Sequence, residues 1–223
     1  MGKIKAVIFD LDGTLINSIY DLADSVNYVL SKYSYPTRQT DEYYYLVGNG
    51  ALKLIERALP KEVSTTSLAL KLREDFITYY RQHSLDKTVL YDGIKQTLDA
   101  IKLQNIKTAV VTNKPHAQAQ SIADHFLKGY FEQVCGQQDN MKIKPDPAAT
   151  LFVMEKLGVK PSECLFVGDS GVDMQTGVNS GAIPVGVLWG FRTKQELEQN
   201  GAKYIISKPY ELLNIIGEIN ERK

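Results

Sequence analysis

The sequence predicts an α/β protein: a Rossmann-like, doubly wound parallel sheet with an inserted α-helical cap. Three observations predict it. Four short runs are apolar almost without a break, at residues 4–9, 108–112 ("TAVVT"), 164–168 ("CLFVG") and 183–188 ("IPVGVL"), as expected of strands buried on both faces under helices. Helical periods lie between the later runs, and alternating strands and helices wind a parallel sheet. After the first run the next comparable one begins only at Thr108, whereas a crossover needs about a dozen residues.

The elements follow in order. The first strand ends in Asp10-Leu11-Asp12-Gly13-Thr14. Residues 16–83 then read as purely helical. Ile19, Leu22, Ala23, Val26, Val29 and Leu30 keep a helical period, with Ser18 expected to cap that helix and Asp21 in its first turn. Leu52, Ile55 and Leu59 form a second helix stopped at Pro60, and Leu68, Leu72, Phe76 and Tyr80 form another. The aromatic stretch "DEYYYL" at 41–46 is read as packing in the core or between domains. The organisation expected is a core of residues 1–15 and 88–223 and a helical cap of residues 16–87. In the core, Ile94, Leu98 and Ile101 predict a helix. So do Leu151, Met154 and Leu157 along 147–157, and Leu212, Leu213, Ile216 and Ile219 along 209–219.

Composition narrows the function classes. A chain of 223 residues with 43% hydrophobic content has material for a sizeable core in one or two domains. Lys+Arg and Asp+Glu both number 26, so charge gives no reason to expect nucleic acid or an anionic membrane as partner. No stretch approaches the roughly 18 apolar residues of a membrane span. The apolar run in "MGKIKAVIF" is too short for a signal peptide, and Gly2 lacks the Ser or Thr that a myristoylation signal wants where Ala6 stands. Cys135 and Cys164 sit in strand-like surroundings, which points to a reducing, cytoplasmic setting without a structural disulfide.

In open α/β sheets, sites form at the carboxyl ends of strands. Here those ends carry Asp10 and Asp12, then Thr112-Asn113-Lys114, then Gly168-Asp169-Ser170 with Asp173 shortly after; Lys144 stands before Pro145 in "KIKPDP". Clustered carboxylates need a counter-charge, and hard oxygen donors with few histidines favour Mg²⁺. A hydroxyl, backbone N–H groups and a lysine suit phosphate oxygens. Phosphoryl transfer needs little more: a carboxylate can attack phosphorus and a second can move the proton. Close acids assist, because repulsion raises the proton affinity of one.

"FDLDGTL", "VVTNK", "KIKPDP" and "FVGDSGVDM", in that order, resemble the four signatures of the haloacid dehalogenase-like (HAD) hydrolase superfamily. The insert resembles its C1-type cap. "VGNGA", "VVTNKP" and "VLWGF" are similar to the phosphoglycolate phosphatase-like branch. The resemblance implies a phosphatase of small phosphate monoesters acting through an aspartyl-phosphate. It makes Asp10 the nucleophile and Asp12 the general acid/base with its backbone carbonyl on Mg²⁺. Thr112 and the Asn113 N–H become phosphate donors, and Lys144 the lysine that steadies nucleophile and phosphoryl group. Asp10, Asp12, Asp169 and Asp173 then form the metal set, Asp173 either as a ligand or as an acid behind the ligands. One departure is "GQQDNMKIKPDP", where relatives often carry an acid pair. Lys114 either binds a substrate carboxylate or is a solvated helix-end lysine. Gly48, Asn49 and Gly50 are either a plain turn or a loop whose N–H groups reach the substrate beside a helix N-terminus. Trp189 and Arg192 either line the entrance or pack.

Rival readings share residues with this one. A pyrophosphatase or nucleotidase differs in what the cap admits, and a sugar-phosphate mutase in the lifetime of the aspartyl-phosphate. A phospho-receiver signalling domain also combines acids, Mg²⁺, Thr and Lys, but places its acid pair early and its phospho-acceptor on a later strand. The expected partner is a small phosphorylated molecule, with the chain a monomer or homodimer.

Overall fold

The computed structural model describes residues 3–138 and 141–221; Gly2 and the Asp139-Asn140 part of the departure noted above lie outside them. The elements run β1 (Ala6–Phe9), β2 (Ile16–Asn17), α1 (Ile19–Lys32), α2 (Tyr43–Leu46), α3 (Gly50–Ala58), α4 (Thr66–His83) and β3 (Val89–Leu90). Then come α5 (Ile94–Leu103), β4 (Lys107–Pro115), α6 (His116–Leu127), β5 (Gln133–Gln137), α7 (Ala148–Leu157) and β6 (Cys164–Gly168). The chain closes with α8 (Gly171–Ser180), β7 (Ile183–Val187), α9 (Lys194–Gln199), β8 (Tyr204–Ile206) and α10 (Glu211–Glu221).

Six strands pair in the order β5-β4-β1-β6-β7-β8, and every pairing is parallel. The chain winds from β1 outward to β5, returns to β6 and winds the other way. Strands that belong to the two directions therefore meet at the centre, where such sheets hold their ligands. Alternate residues serve opposite faces. Val7, Phe9, Val110 and Val167 pack with α5, α6 and α10, while Ala6, Ile8, Val111 and Phe166 pack with α7. Both faces are covered, which is why the runs read as continuously apolar rather than alternating.

Helices α1 to α4 gather a separate apolar cluster that includes Ile19, Val26, Leu30, Tyr43, Ile55 and Leu72, and Phe191 from beyond β7 joins it. Residues 16–83 are not purely helical, as expected from sequence. Ile16-Asn17 pairs antiparallel with Val89-Leu90, so the chain leaves for these helices and returns from them side by side. The two crossings are fastened by buried Asp21, whose carboxylate accepts from Lys87 N at 2.9 Å, Thr88 N at 2.8 Å and Thr88 Oγ1 at 2.7 Å. Asp21 thus ties α1 to the returning segment rather than only complementing the helix dipole.

Ser18 does not cap α1 with its side chain. Its hydroxyl instead donates to Asp12 Oδ1 at 2.5 Å, because a charged acceptor makes the stronger hydrogen bond. In α7 the buried face is Val153, Met154 and Leu157, and Leu151 is exposed. No helix among the described residues is long and apolar enough to cross a membrane.

Candidate active site

The ends of β1 and β6 and the start of α8 bring the sequence-predicted acids together. Asp10 follows β1 directly, and its N–H donates to Val167 O at 2.9 Å. Asp169 follows β6, and Asp173 sits in the first turn of α8. Asp10, Asp169 and Asp173 are all buried and can each offer an oxygen within 4.8 Å of the others. Gly13 makes the approach possible. Its φ is +82°, and a Cβ there would overlap the Asp169 carboxylate, so only glycine lets the turn after β1 close over that acid.

Lys144 is the counter-charge. Its Nζ lies 2.6 Å from Asp173 Oδ1 and 2.9 Å from Asp10 Oδ1. Burial alone would lower its pKa, but the two carboxylates hold it above the ordinary lysine value. The other Asp173 oxygen accepts from Ser170 N at 3.0 Å and Ser170 Oγ at 2.6 Å. Both oxygens of Asp173 are therefore engaged by protein. Asp169 is oriented by Thr14 Oγ1 at 3.2 Å and Phe191 N at 2.8 Å.

One ammonium does not balance these acids. Burial, opposed by Lys144, pushes the Asp10 carboxyl up to about 6. Burial, with Asp173 and Asp10 adding to it, pushes Asp169 up to about 8. Among the described residues the only polar partner of buried Asp10 Oδ1 is the Lys144 ammonium, at 2.9 Å. A crowded set of buried hard oxygen donors that one ammonium does not balance, with no nitrogen or sulfur donor in the cluster, fits a hard divalent cation.

This has a pH signature. Unfolded carboxyls titrate near 4, so the metal-free folded state binds extra protons between about pH 4 and about pH 8, and its stability falls as pH rises through that window. Asp169→Asn removes the acid with the highest value. Metal-free thermal melts are expected to show the variant gaining on the wild type between about pH 5 and about pH 9, and saturating divalent cation narrowing that gap. A gap independent of pH would contradict the assignment.

The other predicted residues surround a cavity of about 60 Å³. Asp10, Asp12, Thr112, Asn113, Lys114 and Asp169 line one side; Leu22, Val47, Leu54 and Phe76 from the inserted helices, with Phe191, line the other. Lys114 is not a solvated helix-end lysine. It is buried, and its Nζ contacts Asp12 Oδ1 at 2.8 Å, Asp12 Oδ2 at 3.1 Å and Tyr80 Oη at 2.6 Å. Thr112 Oγ1 accepts from Lys114 N at 3.3 Å, which leaves its own proton to donate. The Asn113 side chain accepts from Lys144 N at 2.8 Å and donates to Lys144 O at 3.1 Å and Gly48 O at 3.0 Å. It therefore joins the lysine segment to the inserted helices.

Gly48 and Gly50 line the cavity at the N-terminus of α3, but Asn49 does not; its Oδ1 accepts from Arg57 at 2.9 Å. Trp189 Nε1 donates to Thr14 O at 3.0 Å, a packing role. Arg192 lines the cavity wall and donates to Tyr44 O and to Val47 O, the latter at 2.9 Å. Sequence reasoning missed Tyr80, Ser18 and Phe191 as parts of this site. Tyr80 fell on the apolar stripe of its helix, and only its hydroxyl distinguished it from a core residue.

The model of the family described as haloacid dehalogenase-like hydrolase matches residues 7–187. The chain belongs to that family. A phosphoglycolate phosphatase from Mannheimia succiniciproducens is 36% identical, with 96% of this chain and 99% of that protein covered. A phosphoglycolate phosphatase from Haemophilus influenzae is 34% identical, with the same coverage of 96% and 99%. Among solved structures, one from Lactobacillus delbrueckii subsp. bulgaricus superposes with a TM-score of 0.91 at 28% identity, covering 96% of this chain and 99% of that one. A hydrolase from Pseudomonas syringae superposes with a TM-score of 0.80 at 26% identity, covering 97% and 99%. Membership of this hydrolase family agrees with the arrangement of acids and lysine at the centre of the sheet.

Proposed function

We propose that the chain is a cytoplasmic, Mg²⁺-dependent phosphatase of small phosphate monoesters, with phosphoglycolate or a close analogue as substrate. The observation that carries this reading is the buried group of Asp10, Asp169, Asp173 and Lys144, of which Asp10 and Asp169 line a cavity between the sheet and the inserted helices. Full-length relatives named phosphoglycolate phosphatase support the substrate class. In this reading residues 16–87 are a cap over a core of residues 1–15 and 88–223. The chain acts as a monomer or a homodimer.

Asp10 attacks phosphorus in line, forming an aspartyl-phosphate as the ester P–O bond breaks. Asp12 gives its proton to the leaving alkoxide, then takes one from water, which attacks phosphorus and releases phosphate and free Asp10. Ser18 and Lys114 hold Asp12 in place for both transfers. Thr112 Oγ and the Asn113 N–H bind phosphoryl oxygens, Lys144 steadies Asp10, and the N-terminal end of α3 at Gly48–Gly50 closes the cavity over the substrate. Asp10, Asp169 and the Asp12 backbone carbonyl would hold Mg²⁺. When bound, it supplies charge neutralisation for the acids and the transferring group. Asp173, with both oxygens engaged, stands behind the ligands and positions Lys144.

The test is phosphate release from a panel of phosphate esters with Mg²⁺ and with chelator. The expected result is Mg²⁺-dependent release, fastest from phosphoglycolate. Phosphoglycolate no better than a generic ester would remove the substrate class, and release from no ester would remove the phosphatase reading.

A further inference from the structure

Tyr80 carries a proton that the protein does not use. The residue lies on α4, 2% exposed, with its ring stacked on Phe76 at 5.4 Å between centroids. Its hydroxyl is 2.6 Å from Lys114 Nζ. An ammonium has donors only, so the tyrosine oxygen must accept in that contact and its own O–H is directed elsewhere. Among the described residues no acceptor takes that proton. Burial keeps the phenol protonated, pushing it up to about 12.

A buried O–H without an acceptor is costly to leave unmade, and Tyr80 lines the cavity. Its acceptor is therefore expected from a ligand. Charge narrows what that ligand carries. Two cationic side chains line the cavity, Lys114 and Arg192. The Arg192 guanidinium is engaged by Tyr44 O, Val47 O and Glu196 and the Lys114 ammonium by Asp12 and Tyr80 Oη, so Lys114 offers its charge beside the phenol proton rather than a free N–H. Lys114 also holds Asp12, the group that protonates the leaving oxygen in the reading above. The phenol and ammonium thus border the leaving-group end of the cavity, with Asp12 in contact with the ammonium.

We propose that Tyr80 and Lys114 form a specificity pair that binds a carboxylate oxygen on the leaving alcohol of the substrate. This deepens the phosphatase reading and rests on it. The donor from the inserted helices and the cation from the core reach the same oxygen only when the two parts of the chain meet as they do here.

Tyr80→Phe keeps the ring stack and removes the hydroxyl, both its proton and the oxygen that accepts from Lys114. The experiment measures kcat/KM by phosphate release, in wild type and variant, for 2-phosphoglycolate and for ethyl phosphate, which lacks the carboxylate. The expected result is a wild-type preference for phosphoglycolate and, in the variant, a loss on that ester about tenfold or more greater than the loss on ethyl phosphate. The ethyl phosphate arm also reports that the variant folds. Equal losses on both esters would overturn the pair as a selector, leaving Tyr80 as a support for Asp12 through Lys114. No loss on either ester, or a wild type without the preference, would overturn it too while the phosphatase reading stands. Absence of phosphate release from both esters by the wild type would overturn the two together.

Discussion

Asp10→Asn is expected to lose turnover by on the order of 10⁴-fold or more, as removal of a covalent nucleophile does, without weakening the fold. The second half of that expectation comes from the geometry. Among the described residues Asp10 Oδ1 meets only the Lys144 ammonium, so an amide forfeits that ion pair alone, and Lys144 keeps Asp173 at 2.6 Å. The substitution also removes one of several buried acids that repel one another; in metal-free protein the melting temperature is expected to stay level or rise. Phosphate release and a thermal melt on the same preparation check both parts. An inactive variant that is also strongly destabilised would show Asp10 to be structural, and a stable variant with near-normal turnover would refute it as nucleophile.

Lys144→Met is expected to have the largest effect on stability. The ammonium is buried between Asp10 and Asp173, and its loss leaves buried carboxylates without a protein counter-charge. Breaking a buried pair from one side costs about 3–5 kcal/mol. In metal-free protein, urea denaturation is expected to show a loss of that order, larger at high pH, where more of the acids must ionise. A saturating divalent cation is expected to restore part of the stability by supplying the missing charge, yet activity is expected to stay low because Asp10 is no longer steadied. A loss under about 1 kcal/mol would mean that protonation of the acids relieves the cluster unaided.

The centre of the sheet was readable because burial on both faces makes strands uniformly apolar. β6 and β7 follow the runs at Cys164 and Ile183 closely. The edges were not readable. β5 contains Gln133 and Gln137 and is only half-buried, and β8 is three residues long. Short, partly exposed edge strands carry no strong period. The acids were legible for a different reason. A carboxylate that ends an apolar run must be buried or nearly so, and acids at the ends of two strands that pair at the centre of a doubly wound sheet must meet. What escaped was the support around them. Ser18 looked like a helix cap and Asp21 like a dipole partner, because local rules describe only neighbours in the chain. Their actual partners are Asp12 and the returning Lys87-Thr88 segment. Tyr80 was hidden by its helical stripe for the same reason: the pattern places the ring, but the destination of the hydroxyl is set by Lys114, far away in sequence.

The central claim is that phosphoryl transfer passes through Asp10. It is tested most directly by mixing the Mg²⁺-loaded enzyme with phosphoglycolate, quenching in acid within a turnover and mapping the phosphorylated peptide by mass spectrometry. The predicted result is a phosphoryl group on Asp10 that appears during turnover, decays when substrate is exhausted and is absent from Asp10→Asn. Steady phosphate release with no protein-bound phosphoryl group, or with the group on another residue, would contradict it.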